Sequence, residues 1–167
     1  VEELIEIGKK AGVRVQFSHL KTSGKENWHK LDEVFDLIER AQREGLEIMA
    51  DRYPYTASFT SLSAILPDWV FEGGEEKYRA RLKNQKEKIK KEIERRYRGD
   101  YWERIVISQS FEEGWEHIQG KSIAQLAEEE KEKPVDFVLK ILSEHKVSPS
   151  AIFQTMSEEN LERIYKK

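Results

Sequence analysis

The sequence predicts an α/β fold in which helices cover a parallel sheet. A short amphipathic helix precedes an alternating strand pattern at 13–18, and a second helical stretch precedes a second strand pattern at 46–51. The two strand patterns lie about thirty residues apart, which is the length of a β-α-β crossover. A parallel sheet built in this way is typical of a Rossmann-like fold or of a (β/α)8 barrel.

The first four elements have clear boundary signals. The first helix ends at Gly12, because glycine readily adopts the left-handed conformation that closes a helix. The strand at 13–18 alternates β-branched or aromatic residues with polar ones. The second helix ends at Gly45. The strand that follows stops at Asp51, because Pro54 restricts the residue before it and donates no hydrogen bond.

The pattern changes after Tyr55. An apolar stretch covers 60–72, and one long charged helix is predicted over 75–98. A third strand is predicted near 104–108 and a fourth at 151–153. Three further helices are predicted: one that follows Gly120-Lys121-Ser122, one with Pro134 as its first residue, and one capped at Ser157.

Composition excludes several classes of protein. The 167 residues suggest one domain or a piece of a larger one. No apolar run approaches the ~20 residues of a membrane-spanning helix, and a net charge of −3 does not favour nucleic acid as a partner of the whole molecule. The chain has no cysteine, which excludes thiolate metal sites and fits a cytoplasmic location. We interpret the start within a helical pattern at Val1 and the end at Lys167 as those of an excised segment.

The candidate functional residues follow the two predicted strands, since chemistry in both fold types lies at the carboxyl ends of strands. His19 is a candidate metal ligand or general base, and the alternative is a histidine that binds a nearby carbonyl. Lys21 either clamps an anionic group or is solvated. Tyr53 either extends its hydroxyl into the same cleft or packs before the proline.

Other polar residues carry weaker signals. Asp51 either orients a neighbour or pairs with Arg52. His29, His117 and His145 lack ligand spacing and are interpreted as structural or solvent-facing.

Residues 75–98 carry a strong excess of positive charge, with eleven lysines and arginines against five glutamates. Such a segment could bind a phosphate backbone, which would make the chain a non-catalytic binding module. The interleaved glutamates fit better with a solvated helix that forms ion pairs four residues apart. No phosphate-binding, dinucleotide-binding, zinc-protease or EF-hand motif is present, so the residues alone leave the function open.

Several stretches nevertheless resemble one family, the N-acyl-D-amino-acid deacylases (D-aminoacylases). The Ser-His-x-Lys element ending at Lys21 and the Asp-x-Tyr-Pro-Tyr element ending at Tyr55 are specific as a pair. The matching stretches occur in the family's order: 15–21, 27–28, 51–57, 60–62, 66–69, 72–74, 120–123 and 151–153.

The resemblance implies a fold and a division of the chain. The family belongs to the metal-dependent amidohydrolases, which are built on a (β/α)8 barrel. The chain would be a C-terminal-half segment of that barrel, with barrel units at 1–58, a mainly helical insertion at 59–146 and a return to the barrel at 147–167. Its exposed sheet edges would favour self-association.

The resemblance also implies site roles. His19 would be a zinc ligand, with the remaining ligands outside this chain, and Lys21 and Tyr53 would contact the substrate. The reaction would be hydrolysis of the amide bond of an N-acyl-D-amino acid. The catalytic aspartate is expected beyond residue 167, so the chain alone would be inactive. A cyclic-amide hydrolase of the same superfamily is the nearest competing activity.

Overall fold

A computed structural model describes residues 1–167 and divides them into two compact units. Unit 1 comprises residues 1–57 and 155–167, and unit 2 comprises residues 58–154. The helices and strands, in chain order, are α1 Glu2–Ala11, β1 Val15–Phe17, α2 Leu31–Arg43, β2 Ile48–Ala50, β3 Ser58–Ser61, α3 Glu75–Asn84, α4 Lys86–Arg96, β4 Ile105–Gln109, α5 Ile123–Glu129, α6 Pro134–Glu144, β5 Ser150–Phe153 and α7 Glu158–Tyr165.

Unit 1 contains the predicted β-α-β arrangement. Strands β1 and β2 pair in parallel, with Val15 opposite Ile48 and Phe17 opposite Ala50. Gly12 has a φ of 64° and Gly45 a φ of 93°, so both glycines adopt the left-handed conformation predicted after α1 and α2. The parallel α/β prediction is confirmed, although each strand has three residues and is shorter than predicted.

The core of unit 1 lies between the two strands and their helices. It consists of the buried residues Ile5, Val15, Phe17, Ala41 and Ile48. The opposite side of β2 is open, and the side chain of Met49 is 71% exposed. A two-stranded sheet does not close into a barrel, so membership in a (β/α)8 barrel stays a proposal.

Unit 2 is built on a three-stranded antiparallel sheet with β5 between β3 and β4. Helix α6 lies in its core, since its apolar residues from Val135 to Leu142 are buried. The predicted starts of α6 and α7 are confirmed, with a proline in the first turn of α6 and a side-chain cap from Ser157. Helix α5 begins after Ser122, whose side chain forms a capping box with Gln125. None of the helices is long and apolar enough to cross a lipid bilayer.

The sheet of unit 2 differs from the sequence prediction. Strand β3 was not predicted, because Phe59 is 65% exposed and its neighbours give no alternating pattern. Strand β5 was placed in the segment 147–167, but its partners are β3 and β4. The two compact units divide after residues 57 and 154. The predicted division into barrel units and an insertion, after residues 58 and 146, stays a prediction.

The prediction of a single helix over 75–98 is wrong. The segment forms α3 and α4, which are separated at Gln85, where φ is −124° and ψ is 24°. The break allows both helices to contact α6. The apolar residues Tyr78, Leu82, Ile89 and Ile93 would also share one face of a continuous helix, so their spacing could not reveal the break.

Candidate active site

Three predicted site residues meet beyond the carboxyl ends of β1 and β2. The ring centroids of His19 and Tyr53 lie 5.4 Å apart, with an edge-on angle of 64° between the ring planes. The Nζ atom of Lys21 lies 5.4 Å from the centroid of the Tyr53 ring. The structure therefore brings His19, Lys21 and Tyr53 into one cluster within unit 1.

The backbone of His19 is held from both sides. Its φ of 57° lies in the left-handed region, which is uncommon for a residue other than glycine. Its N–H donates to Asp51 Oδ1 over 2.8 Å, and its carbonyl accepts from Lys21 Nζ over 2.8 Å. These contacts involve the main chain, and the residue is exposed, so the imidazole is available for a ligand.

Asp51 orients its neighbours. Besides His19, its carboxylate accepts a hydrogen bond from Gln16 Nε2 over 3.0 Å. Its own N–H donates to the Phe17 carbonyl over 3.0 Å, and its carbonyl accepts from the Leu20 N–H over 2.9 Å. The hydrogen bonds from the His19 N–H and from Gln16 hold the pKa of the Asp51 carboxyl below its usual value. Of the two predicted roles for Asp51, the contacts support the orienting one.

The surroundings of Tyr53 include Arg52 and Met156, for which the sequence predicted no contact with Tyr53. The guanidinium carbon of Arg52 lies 4.0 Å from the centroid of the Tyr53 ring. Arg52 Nη2 donates to the Tyr55 carbonyl over 2.7 Å and lies 2.9 Å from Met156 Sδ. The Tyr53 hydroxyl lies 3.8 Å from the same sulfur. No signal in the sequence links Met156 to residues more than one hundred positions earlier.

The loop that carries Lys21 is anchored by polar contacts to the start of α7. Asn160 Nδ2 donates to Thr22 Oγ1 over 3.0 Å and to the Trp28 carbonyl over 2.8 Å. The indole N–H of Trp28 donates to the Thr155 carbonyl over 2.9 Å. These contacts fix both ends of the loop, and the long sequence separation of the partners hides them from sequence analysis.

The chain does not form a complete metal site by itself. A catalytic zinc ion needs about three protein ligands. No group of three or more histidine, cysteine, aspartate or glutamate side chains is close enough to hold an ion. His19 has the donor type and the accessibility of a single zinc ligand, and the nearby Asp51 carboxylate is occupied by His19 and Gln16.

The basic segment 75–98 has structural contacts within unit 2. Arg79 Nη1 donates to the His145 carbonyl over 2.6 Å, Lys90 pairs with Asp136 over 2.6 Å, and Lys88 Nζ lies 3.9 Å from the Trp69 ring. These contacts favour a stabilising role for the segment over nucleic-acid binding.

Comparison with known proteins first identifies the class of fold. A crystal structure of N-acyl-D-glutamate deacylase from Bordetella bronchiseptica, complexed with zinc and a phosphonate inhibitor, matches 99% of this chain with a TM-score of 0.67 and 21% identity. A crystal structure of D-aminoacylase, which defines a novel subset of amidohydrolases, matches 98% of this chain with a TM-score of 0.66 and 23% identity. At these identities the matches show a shared fold alone.

Sequence comparison then gives a curated relative. The N-acyl-D-glutamate deacylase of Alcaligenes xylosoxydans xylosoxydans is 34% identical over 62 residues, which make up 37% of this chain and 13% of that protein. No protein-family model matches the chain. The chain covers 27% and 26% of the two solved structures. The predicted resemblance to the N-acyl-D-amino-acid deacylases is confirmed, for a segment much shorter than these relatives.

Proposed function

We propose that the chain is a segment of a metal-dependent amidohydrolase that hydrolyses the amide bond of N-acyl-D-amino acids. The observation that carries this proposal is the meeting of His19, Lys21 and Tyr53 beyond two adjacent parallel strands. The deacylase relatives support the same reaction class. The isolated chain lacks a complete set of metal ligands, so we expect it to be inactive alone.

His19 is proposed to be one zinc ligand, and the remaining ligands would come from residues outside this chain. The hydrogen bonds of its main chain to Asp51 and Lys21 fix the position from which the imidazole extends. Zinc in such enzymes lowers the pKa of a bound water and polarises the scissile carbonyl. The catalytic aspartate is expected beyond residue 167.

Lys21 and Tyr53 are proposed to bind the substrate. The Lys21 ammonium has three N–H donors, and one of them is used on the His19 carbonyl. The others can bind the substrate carboxylate. The Tyr53 hydroxyl can donate to that carboxylate or to the carbonyl oxygen, because its contact with Met156 Sδ at 3.8 Å is long and weak.

The proposed fold is the C-terminal half of a (β/α)8 barrel. Unit 1 would supply two adjacent barrel strands with their helices, and unit 2 would be an insertion between barrel elements. The parallel pairing of β1 with β2 and the return of the chain to unit 1 at Thr155 support this arrangement.

A substrate panel tests the proposal in a longer protein that contains this segment and is active. We expect N-acyl-D-amino acids to be hydrolysed in preference to cyclic amides, since Lys21 favours a free carboxylate. The deacylase relatives, which are named for a D-amino acid, support a preference over the L-enantiomers. Lys21→Met should raise KM about tenfold or more, which corresponds to the loss of one hydrogen bond to a charged group. Lys30→Met, which removes the exposed partner of Asn27, is the control.

The panel also separates the competing functions. Preferred hydrolysis of cyclic amides would identify the cyclic-amide hydrolase instead. An unchanged KM in Lys21→Met would remove Lys21 from the substrate site. A binding module built on 75–98 would show no hydrolysis and a steep salt dependence of nucleic-acid binding.

A further inference from the structure

The Arg52 guanidinium is an unusual feature of unit 1. Its Nε and Nη1 atoms are buried and have no hydrogen-bond partner, whereas Nη2 donates to the Tyr55 carbonyl over 2.7 Å. A buried cation normally has all of its donors satisfied, because leaving them unpaired costs desolvation free energy. The location of Arg52 therefore needs a specific explanation.

A contact with the Tyr53 ring explains the location of Arg52 in part. The guanidinium carbon lies 4.0 Å from the ring centroid, well within the range of a cation–π contact. Lys21 Nζ is farther from this ring, at 5.4 Å. Burial strengthens a cation–π contact, since water no longer competes for the cation. The ring thus compensates in part for the missing partners of Nε and Nη1.

The contacts of Arg52 also fix the segment that carries Tyr53. The Arg52 side chain donates a hydrogen bond to the carbonyl of Tyr55, which lies two residues after Tyr53 in the chain. The Arg52 carbonyl accepts a hydrogen bond from the Tyr165 hydroxyl over 2.8 Å. Met156 Sδ lies 2.9 Å from Arg52 Nη2. Contacts with Tyr165 in α7 and with the Tyr55 carbonyl therefore fix Arg52, and its guanidinium contacts the Tyr53 ring.

We propose that Arg52 is a positioning residue for Tyr53. It holds the Tyr53 ring edge-on to His19, and it does not itself touch the substrate. This inference rests on the proposed function for its catalytic meaning, but the positioning itself can be measured without substrate or metal.

The first test is nuclear magnetic resonance on the 167-residue chain. We expect a nuclear Overhauser contact between the His19 and Tyr53 rings in the wild type and its loss in Arg52→Met. Arg163→Met is the matched control, because Arg163 pairs with Asp32 and lies 5.9 Å from the Phe35 ring in the same unit. The control should retain the His19–Tyr53 contact. Retention of that contact in Arg52→Met would overturn the proposal.

A second measurement does not need the Arg52→Met variant to fold. In the wild type, the Arg52 Nε–H should exchange with solvent more slowly than that of Arg14, whose side chain is 85% exposed. Tyr53→Leu should shift the Arg52 Nε–H resonance, because it removes the ring. Equally fast exchange, or an unmoved resonance in Tyr53→Leu, would overturn the proposal. Neither result depends on deacylase activity, so failure of the positioning proposal can be distinguished from failure of the proposed function.

Discussion

Two hydrogen bonds hold the main chain of His19, whose side chain is exposed. Asp51 accepts from its N–H, and Lys21 donates to its carbonyl. His19, Lys21 and Tyr53 were predictable as candidates, because each follows a strand pattern that the sequence displays. Arg52 and Met156 were not predictable, since their roles depend on contacts between distant parts of the chain.

Asp51 should make unit 1 less stable at acid pH. Its pKa is lowered in the folded state, so its contribution is present above the unfolded value of about 3.9 and is lost as the pH falls through the folded value. Asp51→Ala should therefore destabilise the protein at pH 7 and have less effect near pH 3. Urea unfolding at both pH values measures this.

Asp36→Ala is the control for that experiment, because Asp36 is an exposed carboxylate on α2. It should have little effect at either pH. An equal loss of stability in Asp51→Ala at pH 7 and pH 3 would contradict the account of Asp51.

The helices show what sequence patterns predict well. The helix end at Gly12, the first-turn proline Pro134 and the cap at Ser157 act on neighbouring residues, and all three were predicted. The break at Gln85 and the pairing of β5 depend on which surfaces the elements contact, and such contacts leave no local pattern. Helix α6 combines both cases, because its start is local and its complete burial comes from the surrounding elements.

The end of α6 should make unit 2 sensitive to mildly acid pH. His145 is 1% exposed, its Nδ1 lies 2.9 Å from the Ile141 carbonyl, and its Nε2 lies 3.2 Å from Ser110 Oγ. Burial lowers the pKa of His145, so its stabilising contribution is present above about 6.5 and is lost as the pH falls through the folded value. His145→Gln should weaken the fall in melting temperature between pH 7.5 and pH 5.

His29→Gln serves as the control, since His29 is exposed in the short helix before α2. That variant should melt with the pH dependence of the wild type. If His145→Gln also kept the full pH dependence, the buried imidazole would not be its source.

For the whole molecule, the two units have very different cores. Unit 1 has a core cluster of five buried apolar residues around two strands, whereas unit 2 buries helix α6 and a three-stranded sheet. A two-stranded sheet has two unpaired edges, which favour association with another chain. The resemblance to deacylases predicted a barrel segment with a mainly helical insertion, and the antiparallel sheet of unit 2 could be seen only in the structure.

We therefore expect the isolated chain to self-associate through unit 1. Met49 on β2 is 71% exposed, and Met49→Lys should reduce association, because it places a charge on the open side of the sheet. Ile7→Lys on α1, where Ile7 is 51% exposed, should leave association unchanged. Sedimentation velocity measures the effect, and a wild-type chain that stays monomeric at high concentration would contradict the expectation.

The central claim is that His19 binds the catalytic zinc ion. The most direct measurement is the zinc content and kcat/KM of an active, longer protein carrying His19→Ala, compared with His29→Ala. We predict that His19→Ala loses bound zinc and lowers kcat/KM by about 100-fold or more, while His29→Ala keeps both. Wild-type zinc content and rate in His19→Ala would contradict the account.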